Sequence, residues 1–176
     1  GAAALWIRRG IPLQPLFQGG GQERSLRPGT ENTAAIAGFG LAARISAAEL
    51  EGKSASLQRL KERLYRGLQA AGVEFNLNGP PLETAAPHIL NLSFSGVKAE
   101  LLLRFLEEKG IYVSAGSACH SRRPEPSHVL AAIGLDENKL FSALRFSFSS
   151  FNDLAEIDRV VEQIVPAIKE LKAIGI

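Results

Sequence analysis

Alternation of apolar and polar residues predicts the strands of this chain. It is clearest over residues 89–94, where three apolar side chains take one face and Asn91 and Ser93 take the other. Residues 143–149 alternate in the same way around Arg145. Shorter strands are predicted over residues 3–8, 73–77 and 111–113.

Apolar residues spaced three and four apart predict the helices. The first begins at Thr33, Gly52 is predicted to separate it from a second, and Gly72 is predicted to end the second. Asp153 and Glu156 form a capping box that marks the start of the last helix. Shorter helices are predicted over 98–109 and 126–133. Strands and helices mix without a strict βαβ rhythm, so the predicted fold class is α/β, as an α+β domain with a small, mainly antiparallel sheet covered by helices.

Composition narrows the class of protein. The chain has 176 residues, of which 45% are hydrophobic and 22% charged, as in an ordinary globular domain. Its 20 basic and 18 acidic residues leave a net charge of +2, too small to indicate a nucleic-acid partner. A single cysteine excludes a disulfide framework. No apolar run reaches membrane-spanning length and no signal peptide is evident, so we expect a cytoplasmic protein without a membrane partner.

Cys119 is the first candidate for chemistry. A lone cysteine is more often a small buried hydrophobe than a nucleophile. Its neighbours are small or polar, however, and Arg122, Arg123 and His120 lie close enough in sequence to stabilise a thiolate and lower the pKa of the thiol. The context therefore favours a reactive cysteine. A zinc site using Cys119 and the histidines has the wrong spacing and lacks a second thiolate, so no metal is predicted.

The glycine-rich loop at 19–32 is the second candidate. Its glycines let backbone amides approach an anion, Arg24 and Arg27 supply positive charge, and Thr30 or Asn32 lies at the start of the next helix. It matches neither a P-loop nor a dinucleotide-binding fingerprint. A phosphate site and a flexible loop with an ordinary helix cap are equally compatible with this pattern.

Arg145 is the third candidate. An arginine inside an alternating strand presents a rigid fork that suits a carboxylate, although a surface ion pair is the commoner role. His88 and His128 are interpreted as polar packing residues or helix contacts rather than catalysts. Residue types and spacing thus yield a thiol, a phosphate site and a carboxylate clamp as hypotheses, but no reaction.

Three ordered stretches resemble the pyridoxal-phosphate-dependent cysteine desulfurases of the class V aminotransferase superfamily. They are GGGQERSLRPGTEN at 19–32, VSAGSACHS at 113–121 followed by PSHVL at 126–130, and LRFS at 144–147. The matches run in order from Gly1 to about Val165. The extended, serine-rich cysteine loop resembles that of the group serving iron–sulfur cluster assembly. The fold that the resemblance implies is the C-terminal domain of a fold-type I pyridoxal-phosphate transferase.

The resemblance also implies a reaction and its residues. L-cysteine is converted to L-alanine, and Cys119 receives the sulfur as a persulfide for transfer to an acceptor such as an iron–sulfur scaffold protein. Arg145 corresponds to the residue that binds the substrate carboxylate. Thr30 corresponds to the threonine that reaches the pyridoxal 5'-phosphate of the partner subunit, which implies a homodimer.

One departure from the family concerns the lysine that forms a Schiff base with the cofactor. None of the seven lysines has the family's sequence context for it, and the chain opens in mid-pattern without a methionine. We therefore expect the C-terminal part of a desulfurase, inactive by itself. Residues 1–50 would be the end of the large cofactor domain, with apolar surface exposed, and residues 51–176 the small domain carrying the cysteine loop.

Other functions remain open at this point. Selenocysteine lyase chemistry would use the same residues. A stand-alone thiol redox sensor or peroxidase would use Cys119 without the cofactor. A non-catalytic phosphate- or partner-binding module would not need Cys119 at all.

Overall fold

The computed structural model describes residues 1–116 and 127–174. They form the following elements: α1 Thr33–Ala70, β1 Phe75–Leu77, β2 Ile89–Phe94, α2 Ala99–Glu108, β3 Ser114–Ala115, α3 His128–Ala132, α4 Glu137–Phe141, β4 Ala143–Ser147 and α5 Leu154–Ile174. By compactness the chain divides into two units, Gly1–Glu51 and Gly52–Ile176. All four strands belong to the second unit.

The four strands form one antiparallel sheet in the order β1-β2-β4-β3. In β2, Leu90 and Leu92 are buried on the apolar face, and Asn91 lies between them on the other face. Leu144 on β4 is the partner of Leu92, which continues the buried face across the sheet. The strand predicted over 89–94 and the antiparallel sheet are both confirmed.

Three helices cover the apolar face and complete a core with the sheet. The buried helical side chains include Leu60, Leu64 and Leu68 from α1, Leu102 and Leu106 from α2, and Ile157, Ile164 and Ile168 from α5. The α1 and α5 helices are also joined by a two-bond ion pair, in which Arg63 Nε and Nη2 donate to Asp158 at 2.7 and 2.9 Å. The predicted arrangement of a small sheet covered by helices is confirmed.

Helix ends follow the predicted capping chemistry. The Glu156 N–H donates to Asp153 Oδ1 at 2.9 Å, and the Asp153 N–H donates to Glu156 Oε2 at 3.1 Å, which is a complete capping box. At the end of α1, Gly72 has φ +72°, and the Val73 N–H donates to the Leu68 carbonyl at 3.1 Å. This is the bond pattern of a Schellman ending, for which glycine is the favoured residue.

Three local predictions are wrong. Residues 3–8 form no strand, and no strand elsewhere in the first unit pairs with them within the described residues. The α1 helix continues through Gly52, because one glycine costs a helix only about 1 kcal/mol. The short strand lies at Ser114–Ala115 rather than 111–113, because it forms where the chain pairs with β4.

The α1 helix also tests the expectation that no apolar segment is long enough to span a membrane. Within the described ranges it is the one helix long and apolar enough to cross a membrane, and none of its apolar window is buried within the chain. The expectation that no run reaches spanning length is therefore wrong by length and composition. Core helices of soluble proteins can be as long and as apolar, so length and composition alone assign no membrane.

Candidate functional site

Arg145 lies in the middle of β4 on the polar face of the sheet. Its Cα partners are Asn91 on β2 and Ser114 on β3, so polar residues flank it on both sides. The Arg145 side chain is half-buried, and its Nη2 donates to Ser114 Oγ at 3.4 Å. Arg145, which the sequence predicted as a carboxylate clamp, thus lies on the middle one of three adjacent strands.

The charge of Arg145 lacks a counter-charge in the part of the chain that the structure describes. No described aspartate or glutamate forms an ion pair with it, and its buried Nε atom has no hydrogen-bond acceptor among the described residues. Leaving a buried cationic donor unpaired costs free energy, which an anion bound here would recover. A guanidinium cannot lose its charge near neutral pH, and its planar fork matches a carboxylate.

A hydrogen-bonded polar network lies beside Arg145 on the same face. Asn78 Nδ2 donates to both Asn91 Oδ1 and Ser93 Oγ at 2.7 Å. The Ser93 hydroxyl donates in turn to the Lys139 carbonyl of α4 at 2.8 Å. Sequence reasoning placed Asn91 and Ser93 on this face but gave them no role, and it missed both Asn78 and α4. Asp136 was the sequence feature that could have predicted α4, because aspartate is a favoured N-cap residue. In the structure its side chain caps α4 by accepting from the Lys139 N–H at 3.0 Å.

The loop at 19–32 belongs to the first unit and folds on itself. Asn32 caps α1, since its Oδ1 accepts from the Ala35 N–H at 3.1 Å. Arg27 Nη1 donates to the Gly29 carbonyl at 2.8 Å, so its charge is tied to the loop. Thr30 is exposed, and its hydroxyl has no partner among the described residues. The structure thus separates the two residues that sequence left as alternatives: Asn32 is the cap, and Thr30 is available to a ligand.

Glycine is required at two points of this loop. Gly29 has φ +102°, a conformation that L side chains rarely adopt. A Cβ on Gly19 would lie 2.6 Å from Pro28 Cβ, closer than side chains approach each other. A tight, glycine-dependent loop that presents a hydroxyl fits a phosphate group.

The chain has seven lysines whose amines could in principle attach a carbonyl cofactor. Lys61 is fully buried, and burial lowers the pKa of its amine. Its Nζ donates to the Ala85 and Ala86 carbonyls at 3.0 and 3.3 Å, so the amine holds a neighbouring loop in place. The other lysine amines include Lys139 and Lys172, which pair with Asp136 and Glu74. These contacts fit structural roles rather than covalent attachment of a cofactor.

The remaining predicted residues divide by location. Cys119 and His120 lie outside the described residues, so the reactive thiol stays a prediction. His88 is exposed, and its backbone carbonyl accepts from the Phe148 N–H at 2.9 Å. His128 is exposed at the first turn of α3. The structure does not bring either histidine to Arg145 by any hydrogen bond in the described ranges.

Comparison with known families assigns the class of protein. Residues 1–160 match the family Aminotransferase class-V. The chain therefore belongs to the class-V aminotransferase family, as its sequence motifs predicted.

Relatives within the family are more specific. The chain is 40% identical over 172 residues to "Cysteine desulfurase IscS" of Methanosarcina thermophila, covering 98% of the chain and 42% of the relative. It is 41% identical over 171 residues to the protein of the same name from Clostridium botulinum, covering 97% and 43%. A solved structure titled "NIFS-LIKE PROTEIN" superposes with a TM-score of 0.76 at 34% identity, covering 94% of this chain and 42% of that one.

The chain thus spans a little over two fifths of the length of these relatives. The predicted fold class, including the fold-type I transferase relationship, is confirmed. The comparisons give no support to a stand-alone thiol sensor or to a selenocysteine lyase.

Proposed function

We propose that this chain forms part of a cysteine desulfurase that converts L-cysteine to L-alanine and a persulfide on Cys119. Family membership and relatives named cysteine desulfurase at 40% and 41% identity support the reaction class. The observation that carries the proposal is the cation of Arg145, half-buried on the polar face without an acidic partner in the described ranges.

Arg145 binds the α-carboxylate of L-cysteine in this proposal. Its Nη2 is already oriented by Ser114, and β4 is held between two neighbouring strands. A carboxylate that replaces water at such a preoriented guanidinium forms charge-assisted hydrogen bonds. Loss of a charged bidentate contact of this kind weakens binding by about 2–4 kcal/mol.

Cys119 is the sulfur acceptor in the active site. It follows Ser114 by five residues in the sequence, and Ser114 is the β3 partner of Arg145. The Cys119 thiolate attacks the sulfur of L-cysteine. A sulfur–sulfur bond forms, the carbon–sulfur bond of the substrate breaks, and the substrate carbon gains a proton to give L-alanine. Cys119 thereby carries the transferred sulfur as a persulfide.

The family's cofactor is pyridoxal 5'-phosphate, and the described residues fit one part of it. The Thr30 hydroxyl and the tight loop around Gly29 would contact the phosphate. When bound, the cofactor withdraws electrons from the α-carbon of an amino-acid substrate. None of the seven lysines is proposed as its covalent anchor, because Lys61 is bonded to two carbonyls and no lysine has the family's sequence context.

Partners and location follow from the same proposal. We assign a homodimer in which Thr30 serves the partner subunit's cofactor, and a sulfur-acceptor protein such as an iron–sulfur scaffold. A persulfide carrier needs its thiol reduced between cycles, which agrees with a cytoplasmic location.

The experiment compares this chain alone with a chimera in which it is joined to the part of the M. thermophila relative that it does not match. Both are given pyridoxal phosphate and L-cysteine without oxygen. We expect L-alanine and a Cys119 peptide heavier by one sulfur atom from the chimera, and neither from the chain alone. Absence of both products from a folded, cofactor-loaded chimera would contradict the proposal.

Two variants of the chimera serve as matched controls. Cys119→Ser is expected to abolish persulfide formation and to keep the absorbance of the bound cofactor. Arg145→Lys keeps the charge and loses the fork, so it is expected to raise the KM for L-cysteine at least tenfold. An unchanged KM would show that Arg145 does not bind the substrate.

A further inference from the structure

The polar network beside Arg145 has a fixed direction. At one end the Lys139 carbonyl can only accept, so the hydroxyl proton of Ser93 points toward it at 2.8 Å. Ser93 is fully buried, and its oxygen is left to accept from Asn78 Nδ2 at 2.7 Å. The backbone carbonyl therefore sets the polarity of the Asn78 amide.

This polarity reaches Asn91. Asn78 Nδ2 has a second hydrogen, which it donates to Asn91 Oδ1 at 2.7 Å. The Asn91 Oδ1 atom thus faces Asn78 and accepts its hydrogen bond. Its Nδ2 group has no acceptor among the described residues.

The cross-strand register brings this unpaired donor next to the unpaired cation. Asn91 on β2 and Arg145 on β4 are direct Cα partners on the polar face. The Cβ atoms of such a pair lie about 5 Å apart. The buried Arg145 Nε has no acceptor in the described part of the chain, and Arg145 Nη2 contacts Ser114 on β3, on the side of β4 away from β2. Two donors of this cross-strand pair, Asn91 Nδ2 and Arg145 Nε, therefore have no acceptor from the described residues.

We infer that Asn91 is a second binding residue for the carboxylate held by Arg145, and that Asn78 is the positioning residue that turns the Asn91 amide toward it. The inference rests on the proposed function, because it concerns the same carboxylate. A carboxylate has about four acceptor positions, more than one guanidinium edge fills. The Asn91 Nδ2 group takes one of the remaining positions on the β2 side, opposite to Ser114.

The test measures carboxylate binding directly on the 176-residue chain. L-cysteine is titrated without oxygen, and the Nε–H resonance of Arg145 is followed by NMR after assignment with Arg145→Lys. Cysteamine, which lacks the carboxylate, is the ligand control. Unaltered protein is expected to respond to L-cysteine and not to cysteamine.

Three variants separate binding from structure. Asn91→Ala is expected to weaken L-cysteine binding roughly tenfold. Asn91→Asp keeps the shape and places a carboxylate opposite the cation, so it is expected to shift the Arg145 resonance without ligand and to abolish binding. Asn76→Ala is the matched control, because Asn76 is an exposed residue of the same face on β1, paired with Ser93. It is expected to bind as the unaltered protein does.

The outcomes distinguish two failures. If L-cysteine shifts the Arg145 resonance of the unaltered protein and both Asn91 variants bind it equally well, Asn91 is not a ligand residue and the proposed function stands. If the unaltered protein shows no carboxylate-dependent response, the carboxylate clamp fails and the inference falls with it. Should Asn91→Ala not fold, the isosteric Asn91→Asp variant decides the question by the same resonance.

Discussion

The two units of the chain differ in what they bury. Within Gly1–Glu51, none of the residues is buried, and eleven large apolar side chains are exposed, among them Trp6 at 83% and Leu16 at 91%. Among the described residues of Gly52–Ile176, nineteen apolar residues are buried. Exposure of so many large apolar side chains is uncommon on a monomer and is typical of an interface. The second unit therefore has a buried apolar core that stabilises it, and the first unit has none.

The α1 helix has residues in both units, so its side chains allow exposed and buried positions to be compared within one helix. The α1 helix contains Leu41, which is 48% exposed, and Leu64, which is 1% exposed. Helix propensity is the same for both leucines, so a difference between them reports packing alone. The predictions below use such matched pairs.

The largest effect is expected for the leucine pair. Leu64→Ala removes a fully buried side chain and should lower the free energy of unfolding by about 2–5 kcal/mol. Leu41→Ala should change it by less than about 0.5 kcal/mol. Chemical denaturation followed by circular dichroism measures both. Comparable losses for the two variants would mean that the first unit has a core of its own, and the contrast drawn above would be wrong.

Sequence predicted the second unit far better than the first. The bounds of β2 and the capping box of α5 follow from local rules, because alternation and caps involve residues only a few positions apart. The position of β3 at Ser114–Ala115 depends on pairing with β4, thirty residues later, which a local pattern does not encode. A strand over residues 3–8 would likewise require a partner strand, and the described first unit supplies none.

In the candidate site, too, local features could be predicted from the sequence and long-range contacts could not. Arg145 was predicted because an arginine inside an alternating strand presents a rigid fork that suits a carboxylate. Its neighbours Asn91 and Ser114 became apparent only with the register of three strands. Asn78 could not be found from sequence, since its role depends on two hydrogen bonds that cross from a loop to β2.

The next largest effect concerns a charge buried in the second unit. Lys61→Met keeps most of the apolar stem and leaves the Ala85 and Ala86 carbonyls without their donor. A hydrogen bond from a charged donor contributes about 1.5–3 kcal/mol, and Ala85 is half-buried while Ala86 is exposed, so the variant should be less stable by no more than this amount. Lys169→Met, at an exposed position of α5, is the matched control and should have little effect.

Lys61 also makes stability depend on pH. Burial lowers the pKa of its amine below the ordinary 10.5, so at pH values between the two the unfolded chain binds more protons than the folded one. The free energy of unfolding therefore rises as pH increases through the folded pKa toward 10.5, and then levels. The Lys61→Met variant should lack this rise. A rise of equal size in the variant would assign it to another group.

The smallest expected effect compares two glycines of α1, one from each unit. A Cβ on Gly38 would meet nothing within 4 Å, whereas a Cβ on Gly67 would lie 2.8 Å from Val161 Cγ2 on α5. Gly38→Ala should stabilise the helix by about 0.5–1 kcal/mol, because alanine restricts the unfolded chain and favours the helix. Gly67→Ala has the same gain but adds an overpacking cost of about 1–3 kcal/mol, so the net change should be destabilising.

A second substitution tests whether packing is the cause. Adding Val161→Ala to Gly67→Ala removes the clashing methyl groups, so the double variant should be more stable than the sum of the two single changes predicts. Thermal and denaturant unfolding of all four proteins give this coupling free energy. A coupling near zero would mean that α1 and α5 move apart to accept the alanine, and that their packing at Gly67 is looser than the 2.8 Å approach indicates.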